Sequence, residues 1–176
     1  MKAIIILIIS VFSVTSAYSQ RVSLSNLLRI HNSTVVEAED ILLGLGFKFG
    51  RDYGKVGELE SHSFQKNDSK SDDYLNVAKD VFKGRNVRTS LFSLHENDYV
   101  LLKKAINAAG YKFVETTKPE KYGISVDHTY IKGGLEISLS VSLTDNSHPA
   151  GANVTMYYIA IWDIDNRRFY FNDTRH

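Results

Sequence analysis

A chain of 176 residues with 21 Lys and Arg against 20 Asp and Glu, and no cysteine, excludes several chemistries before any motif is read. No charge block is longer than three residues, so the continuous basic face that nucleic-acid backbones require is missing. Without a thiol there is no disulfide, no thiolate metal site, no thiol nucleophile and no lipid-modified cysteine anchor.

The first residues, MKAIIILIISVFSVTSAYSQ, pass from one Lys through an apolar stretch between Ala3 and Val11 to small polar residues. That is the order of a secretory signal, and the stretch is too short to span a bilayer. Cleavage after Ser19, with Ala17 at the −3 position, makes 1–19 the signal peptide and Gln20 the first mature residue; Thr15 and Ala17 allow an alternative cut after Ala17. The remaining roughly 155 residues suit one compact domain that is stable through its core alone. An exported protein without disulfides fits a bacterial periplasm or cell exterior. The sequons at Asn32, Asn67, Asn153 and Asn172 point the other way, but arise by chance in a chain rich in Asn and Ser.

After a lead segment, 20–32, the chain repeats. A shift of 64 places lays LLRIHNSTVVEAEDILLGLGFKFG (27–50) on LFSLHENDYVLLKKAINAAGYKFV (91–114), with His31 on His95, Gly46 on Gly110 and Phe49 on Phe113. A drift of two or three places then matches HSFQK with HTYIK and NVRTSLFSL with NVTMYYIAI. The units run over 33–94 and 95–165, followed by a C-terminal tail, 166–176.

In the first unit Thr34 and Glu37 form a capping-box pair, Ala38, Ile41, Leu42 and Leu45 make a helical stripe, and Gly46 terminates it. In the second, Asn97 or Asp98 is the expected cap, Leu102, Ala105, Ile106 and Ala109 make the stripe, and Gly110 ends it. Four strand-like runs follow each helix. Leu135, Ile137, Leu139, Val141 and Leu143 alternate with Glu136, Ser138, Ser140 and Ser142, and Gly133-Gly134 is a two-residue hairpin signal. The expected fold is α+β: two tandem units of one helix plus a four-stranded antiparallel meander, joined in a continuous curved sheet with the helices on one face.

Catalytic motifs are weak. There is no G-x-S-x-G elbow and no H-E-x-x-H pair, and GLGFKFG follows a helix instead of opening one, so it is a helix end and not a phosphate loop. Asp72-Asp73 and Asp163 with Asp165 lack calcium-loop spacing and are expected to be turn carboxylates. The paired histidines, His62 with His128 and His31 with His95, are expected in local structural roles. The chain also carries 10 Tyr, 9 Phe and one Trp. In MYYIAIWDI large groups fall on both strand faces, Tyr157, Ile159 and Ile161 on one and Tyr158, Ala160 and Trp162 on the other. Either the strand is covered on both sides or an open face carries aromatic anchors.

Two helix-plus-meander units, with the paired LGFKF/AGYKF and HSFQK/HTYIK segments, resemble over about 33–164 the β-lactamase inhibitor protein fold and related small periplasmic domains of Bacteroidetes-type bacteria. The inhibitor's disulfides are absent, so no functional residue transfers. The resemblance implies a non-enzymatic exported protein, an inhibitor or immunity protein that grips an envelope-acting enzyme or toxin through the open sheet face and loops. Candidate partner-binding residues are Tyr130, Tyr157, Trp162, Phe64, His62, His128 and His148, the last in the TDNSHPAGA turn. No catalytic residue, cofactor or metal is expected. The alternative is a small-ligand binder for glycan or lipid, with a pocket between sheet and helices.

Overall fold

The computed structural model describes residues 22–67, 74–118, 124–143 and 154–173. The leader, Asp72-Asp73 and the turn carrying His148 lie outside these residues. Helices α1 (Leu24–Asn32) and α2 (Val35–Gly44) precede strands β1 (Lys48–Val56), β2 (Leu59–Asn67), β3 (Tyr74–Phe82) and β4 (Arg85–Ser93). Helix α3 (Glu96–Ala108) precedes β5 (Lys112–Thr117), β6 (Ile124–Lys132), β7 (Leu135–Leu143) and β8 (Thr155–Asp163), and α4 (Ile164–Asp173) follows. All eight strands join one antiparallel sheet in the order β1-β2-β3-β4-β8-β7-β6-β5, so the fold is α+β. Strands β4 and β8 pair at its centre, from Arg88 opposite Trp162 to Ser93 opposite Tyr157.

Strand alternation sorts the side chains into two faces. Leu75 and Val77 of β3, Leu91 of β4, Ile137 and Leu139 of β7, and Ile159 and Ile161 of β8 lie on one, and the register adds Phe64 of β2 and Tyr130 of β6. These residues share a core with Leu24, Leu27 and Ile30 of α1, Ala38 and Leu42 of α2, and Tyr99, Leu102 and Ile106 of α3. Three helices therefore cover this face. Helix α1 occupies the segment expected only as a lead: Ser23 caps it by accepting the Asn26 N–H, and Leu24, Leu27 and Ile30 are its buried stripe.

The expected capping box of α2 is present, with Thr34 N–H donating to Glu37 at 2.8 Å and Glu37 N–H to Thr34 Oγ1 at 3.3 Å. Helix α3 begins earlier than Asn97 or Asp98 would set it. Its N-cap position is His95, whose N–H donates to Ser93 Oγ at 3.0 Å while that hydroxyl donates to Asp98 at 2.6 Å. Gly46 (φ +82°) and Gly110 (φ +79°) take the left-handed conformation after α2 and α3.

One device holds each covering helix to the sheet. A helix C-terminus carries unpaired carbonyls and partial negative charge, and a strand lysine reaches each. Lys66 Nζ donates to Leu45 O at 3.0 Å after α2, Lys132 Nζ to Ala109 O at 2.5 Å after α3, and Lys79 Nζ to Ile30 O at 2.9 Å and His31 O at 3.1 Å at the end of α1. The aromatics two places before Lys66 and Lys132 also match: Phe64 packs edge-on to Phe49, and Tyr130 to Phe113, both at 5.6 Å. Replacing Lys66 or Lys132 by Met is expected to cost about 1 kcal/mol each, since the Lys66 bond is only partly buried and the Lys132 bond is exposed; urea unfolding of the two variants measures this.

Residues 164–173 of the segment expected as a strand end and tail form a helix instead. Asp163 Oδ1 accepts the Asn166 N–H at 2.8 Å, the bond that starts α4. Helix α4 packs on Phe82, Glu136 and Trp162, which belong to the second face. Covering helices on one side only is thus corrected: the second face is covered at one end.

Candidate binding face

The second face is organised as three rows running across the sheet. The middle row is Thr129, Ser138, Ala160, Ser90, Ala78 and Ser63, each opposite the next on six consecutive strands. The row two residues to one side is Asp127, Ser140, Tyr158, Phe92, Asn76 and Gln65; the row to the other is Ile131, Glu136, Trp162, Arg88, Asp80 and Ser61. Small side chains between rows that carry the large ones make a narrow trough whose floor is closely covered, Ser63, Ala160 and Ser90 being 0 %, 1 % and 6 % exposed. Strand rise and spacing put the backbones of the two outer rows about 13 Å apart and make each row about 24 Å long.

The first ridge is aromatic at its centre. Tyr158 and Phe92 are direct cross-strand partners, and Tyr74, one row further out, meets Phe92 edge-on at 5.5 Å. Asn76 Nδ2 donates to the floor hydroxyl of Ser63 at 2.8 Å and holds the ridge to the floor.

The second ridge is a chain of charge and ring. Ser61 Oγ donates to Asp80 Oδ1 at 2.6 Å, and Arg88 Nε to Asp80 Oδ2 at 2.6 Å. The Arg88 guanidinium lies 5.1 Å from the Trp162 ring centre, and that of Arg167, from α4, lies 4.7 Å from it. Arg167 also pairs with Glu136. Each guanidinium is therefore held by a carboxylate and an aromatic ring together.

Of the residues expected to bind a partner, the structure puts Trp162 on this face and the others it describes elsewhere. Phe64 is 0 % and Tyr130 3 % exposed, both in the core beneath the helices. Tyr157 is on the same side, with its ring 5.5 Å from that of Tyr99. Phe64 and Tyr130 are core residues and Tyr157 is half-buried against that core, so none of the three stands on the second face, a correction that follows from strand parity. His62 and His128 also lie on the helix side, five strand spacings apart, roughly 24 Å, and so form no common cleft. His128 Nδ1 bonds Thr116 Oγ1 at 2.9 Å, and burial followed by the Lys103 charge lowers its pKa below the usual imidazole value.

The sequence does not single out Tyr74, Phe92 or the small floor residues of this face. Their one signal was parity: in SLFSL, Phe92 must oppose the core residue Leu91. Among the described residues no group of three His, Asp or Glu is placed to hold a metal ion, and no helix is long and apolar enough to cross a membrane.

A separate polar cluster is buried under α1. Lys79 is fully buried, and burial lowers its pKa from 10.5 to about 8. His31 Nδ1 bonds Thr89 Oγ1 at 3.2 Å; burial, then the charge of Lys79, lowers its pKa from 6.5 to about 4, against the opposing effect of Asp163. Asn86 Nδ2 donates to His31 O at 2.9 Å and Ser33 O at 3.0 Å. Every bond in this cluster ties the end of α1 to β3 and β4, which makes it a docking device.

No protein-family model matches this chain, and neither the curated proteins nor the solved structures contain a match to it.

Proposed function

We propose that the chain is an exported, non-enzymatic binding protein of a bacterial periplasm or cell exterior, and that it grips another protein across the trough. The concrete form of this reading is an inhibitor or immunity protein for an enzyme or toxin acting at the envelope. The observation that carries it is the trough itself: a floor of Ser138, Ala160, Ser90 and Ala78 between ridges bearing Tyr158 and Phe92 on one side and Trp162 and Arg88 on the other. Aromatic rings and arginines around a recess are what interface hot spots are made of. We also propose that the sheet arose from two copies of one αβ4 unit. The mirrored strand order, the paired Phe49–Phe64 and Phe113–Tyr130 contacts and the paired Lys66 and Lys132 bonds support that reading.

The test is affinity capture from envelope extract with wild-type protein, Tyr158→Ala, and Ser138→Arg, which fills the floor. Both variants are expected to stay folded and to lose at least tenfold in affinity for a stoichiometric protein partner, about 1.4 kcal/mol or more. Undiminished capture by the folded Ser138→Arg protein would remove the trough from consideration. A groove of about 690 Å3 between α1 and α2, lined by Arg29, Glu37, Asp40 and Ile41 among others, favours the second reading, a small-ligand binder. In that case a small molecule raises the melting temperature while the protein stays monomeric, and Arg29→Ala abolishes the effect.

A further inference from the structure

The end of the second face nearest Trp162 already has an occupant. Helix α4 has ten residues and none of them is buried. Its first turn is bonded to the sheet by Ile164 N–H on Gly134 O at 3.0 Å and Asn166 Nδ2 on Asn86 O at 2.9 Å, and the rest touches through side chains: Arg167 on Trp162 and Glu136, Phe169 and Tyr170 on Phe82 at 5.9 and 5.2 Å, and Asp173 on Lys83 at 2.8 Å. Beneath these tips Phe82 is only 3 % exposed. A helix with no fully buried residue, held by polar bonds, ion pairs and ring contacts at its surface, is attached as a ligand is attached, and its release exposes little core.

We infer that α4 is a built-in occupant of one end of the binding face, and that the partner displaces it with a segment of the same chemistry: an arginine followed within one helical turn by aromatic residues. This rests on the reading of the second face as the binding face. The receiving surface is complementary to such a segment. Glu136 supplies the carboxylate for the guanidinium, the Trp162 ring supplies a cation–π surface, and Phe82 supplies an edge for aromatic rings. Arg85, 4.5 Å from the Phe169 ring centre, closes the aromatic end. With α4 released, Phe82 and Trp162 add to Tyr158, Phe92 and Tyr74, and the aromatic surface extends over the full height of the face.

Trp162 is the one tryptophan of the chain, so its emission reports the site directly. In the full-length protein, Arg167→Ala combined with Phe169→Ala is expected to release α4 and red-shift Trp162 emission. A synthetic peptide of residues 163–173 should reverse that shift in the double variant and require at least tenfold more peptide in the wild type. A peptide with Arg167→Glu should bind at least tenfold more weakly. Hydrogen exchange on the wild-type protein covers the case in which the double variant fails to fold: α4 amides should exchange at least a hundredfold faster than those of α1, α2 and α3. A folded double variant whose Trp162 is indifferent to the peptide, α4 amides that exchange only with global unfolding, or a dimer formed by exchanged α4 helices would each overturn the inference. None of these outcomes touches capture through Tyr158 and Ser138, so failure here and failure of the binding reading are separable.

Discussion

Replacing Lys79 by Ala is expected to lower the unfolding free energy by about 4 kcal/mol at pH 7, and replacing it by Met by about 2 kcal/mol. The ammonium donates to Ile30 O and His31 O at the end of α1. Removing it takes the charged donor from both carbonyls, leaving Ser33 Oγ on Ile30 O at 2.8 Å and Asn86 Nδ2 on His31 O at 2.9 Å. Met fills most of the volume and ends the desolvation of a cation, which offsets part of the loss; Ala leaves a cavity as well. Urea unfolding at pH 7 separates the two variants.

The same cluster fixes a pH profile. Lys79 titrates near 8 in the fold against 10.5 ordinarily, so between those values the unfolded chain binds more protons. Stability therefore rises as pH goes from 8 to 10.5, and below 8 the full penalty, on the order of 3 kcal/mol, is present. His31 titrates near 4 against 6.5, so it is neutral in the fold at pH values where the unfolded chain is protonated. The stability it contributes is complete above 6.5 and is lost as pH falls toward 4, again on the order of 3 kcal/mol. His31→Asn, which keeps a polar group facing Thr89, should flatten the acid limb alone. Lys79→Met should abolish the alkaline limb and also shallow the acid limb, because the Lys79 charge helps to depress His31. An acid limb unchanged in both variants would show that other groups govern it.

Helices α2 and α3 were legible in the sequence because each carries a full i, i+3, i+4, i+7 stripe, ends at a glycine and, for α2, opens on Thr34 and Glu37. The β6–β7 hairpin was legible too: Gly133 and Gly134 take φ values of +57° and +83°, which a type I′ turn needs at both places. Helix α1 was not, since its stripe is short and ends in a polar residue, His31, whose burial depends on Lys79 and Thr89 far along the chain. Helix α4 has no apolar stripe to find, because none of its residues is fully buried and it holds the sheet by Asn166, Arg167, Asp173 and two ring edges. The site was half legible. Both faces of β8 carry large groups, as the sequence shows, but assigning Tyr158 and Trp162 to the trough and Tyr157 to the core needs the β7–β8 register. Ten or more intervening residues leave that register open to either parity. Trp162 was singled out in the sequence and lies on the second face; Phe92 and Tyr74 were hidden by hydroxyls, Thr89 and Ser93, standing at core positions of β4.

Phe64→Ala is expected to destabilise the protein by about 4 kcal/mol and to leave partner affinity unchanged in whatever fraction is folded. The ring is fully buried, meets Phe49 edge-on, and lies among residues contributed by three helices. Lys66, two residues on in the same strand, is held by its bond to Leu45 O and does not fill the space. Tyr130→Ala, at the matching place on β6, is expected to cost about 3 kcal/mol, since its 3 % exposure leaves some of the ring in contact with water already. Tyr158→Ala, on the other side of the same sheet, should shift stability by less than about 1 kcal/mol while weakening capture. Urea midpoints and binding measured on the same preparations resolve the two effects. Phe64→Ala protein that unfolds at the wild-type midpoint but fails to bind would return the His-hydroxyl-aromatic-x-Lys echo to the surface and to function. The opposite pattern identifies the echo as the means by which each half of the sheet receives its helix, an aromatic into the core and a lysine onto the helix end.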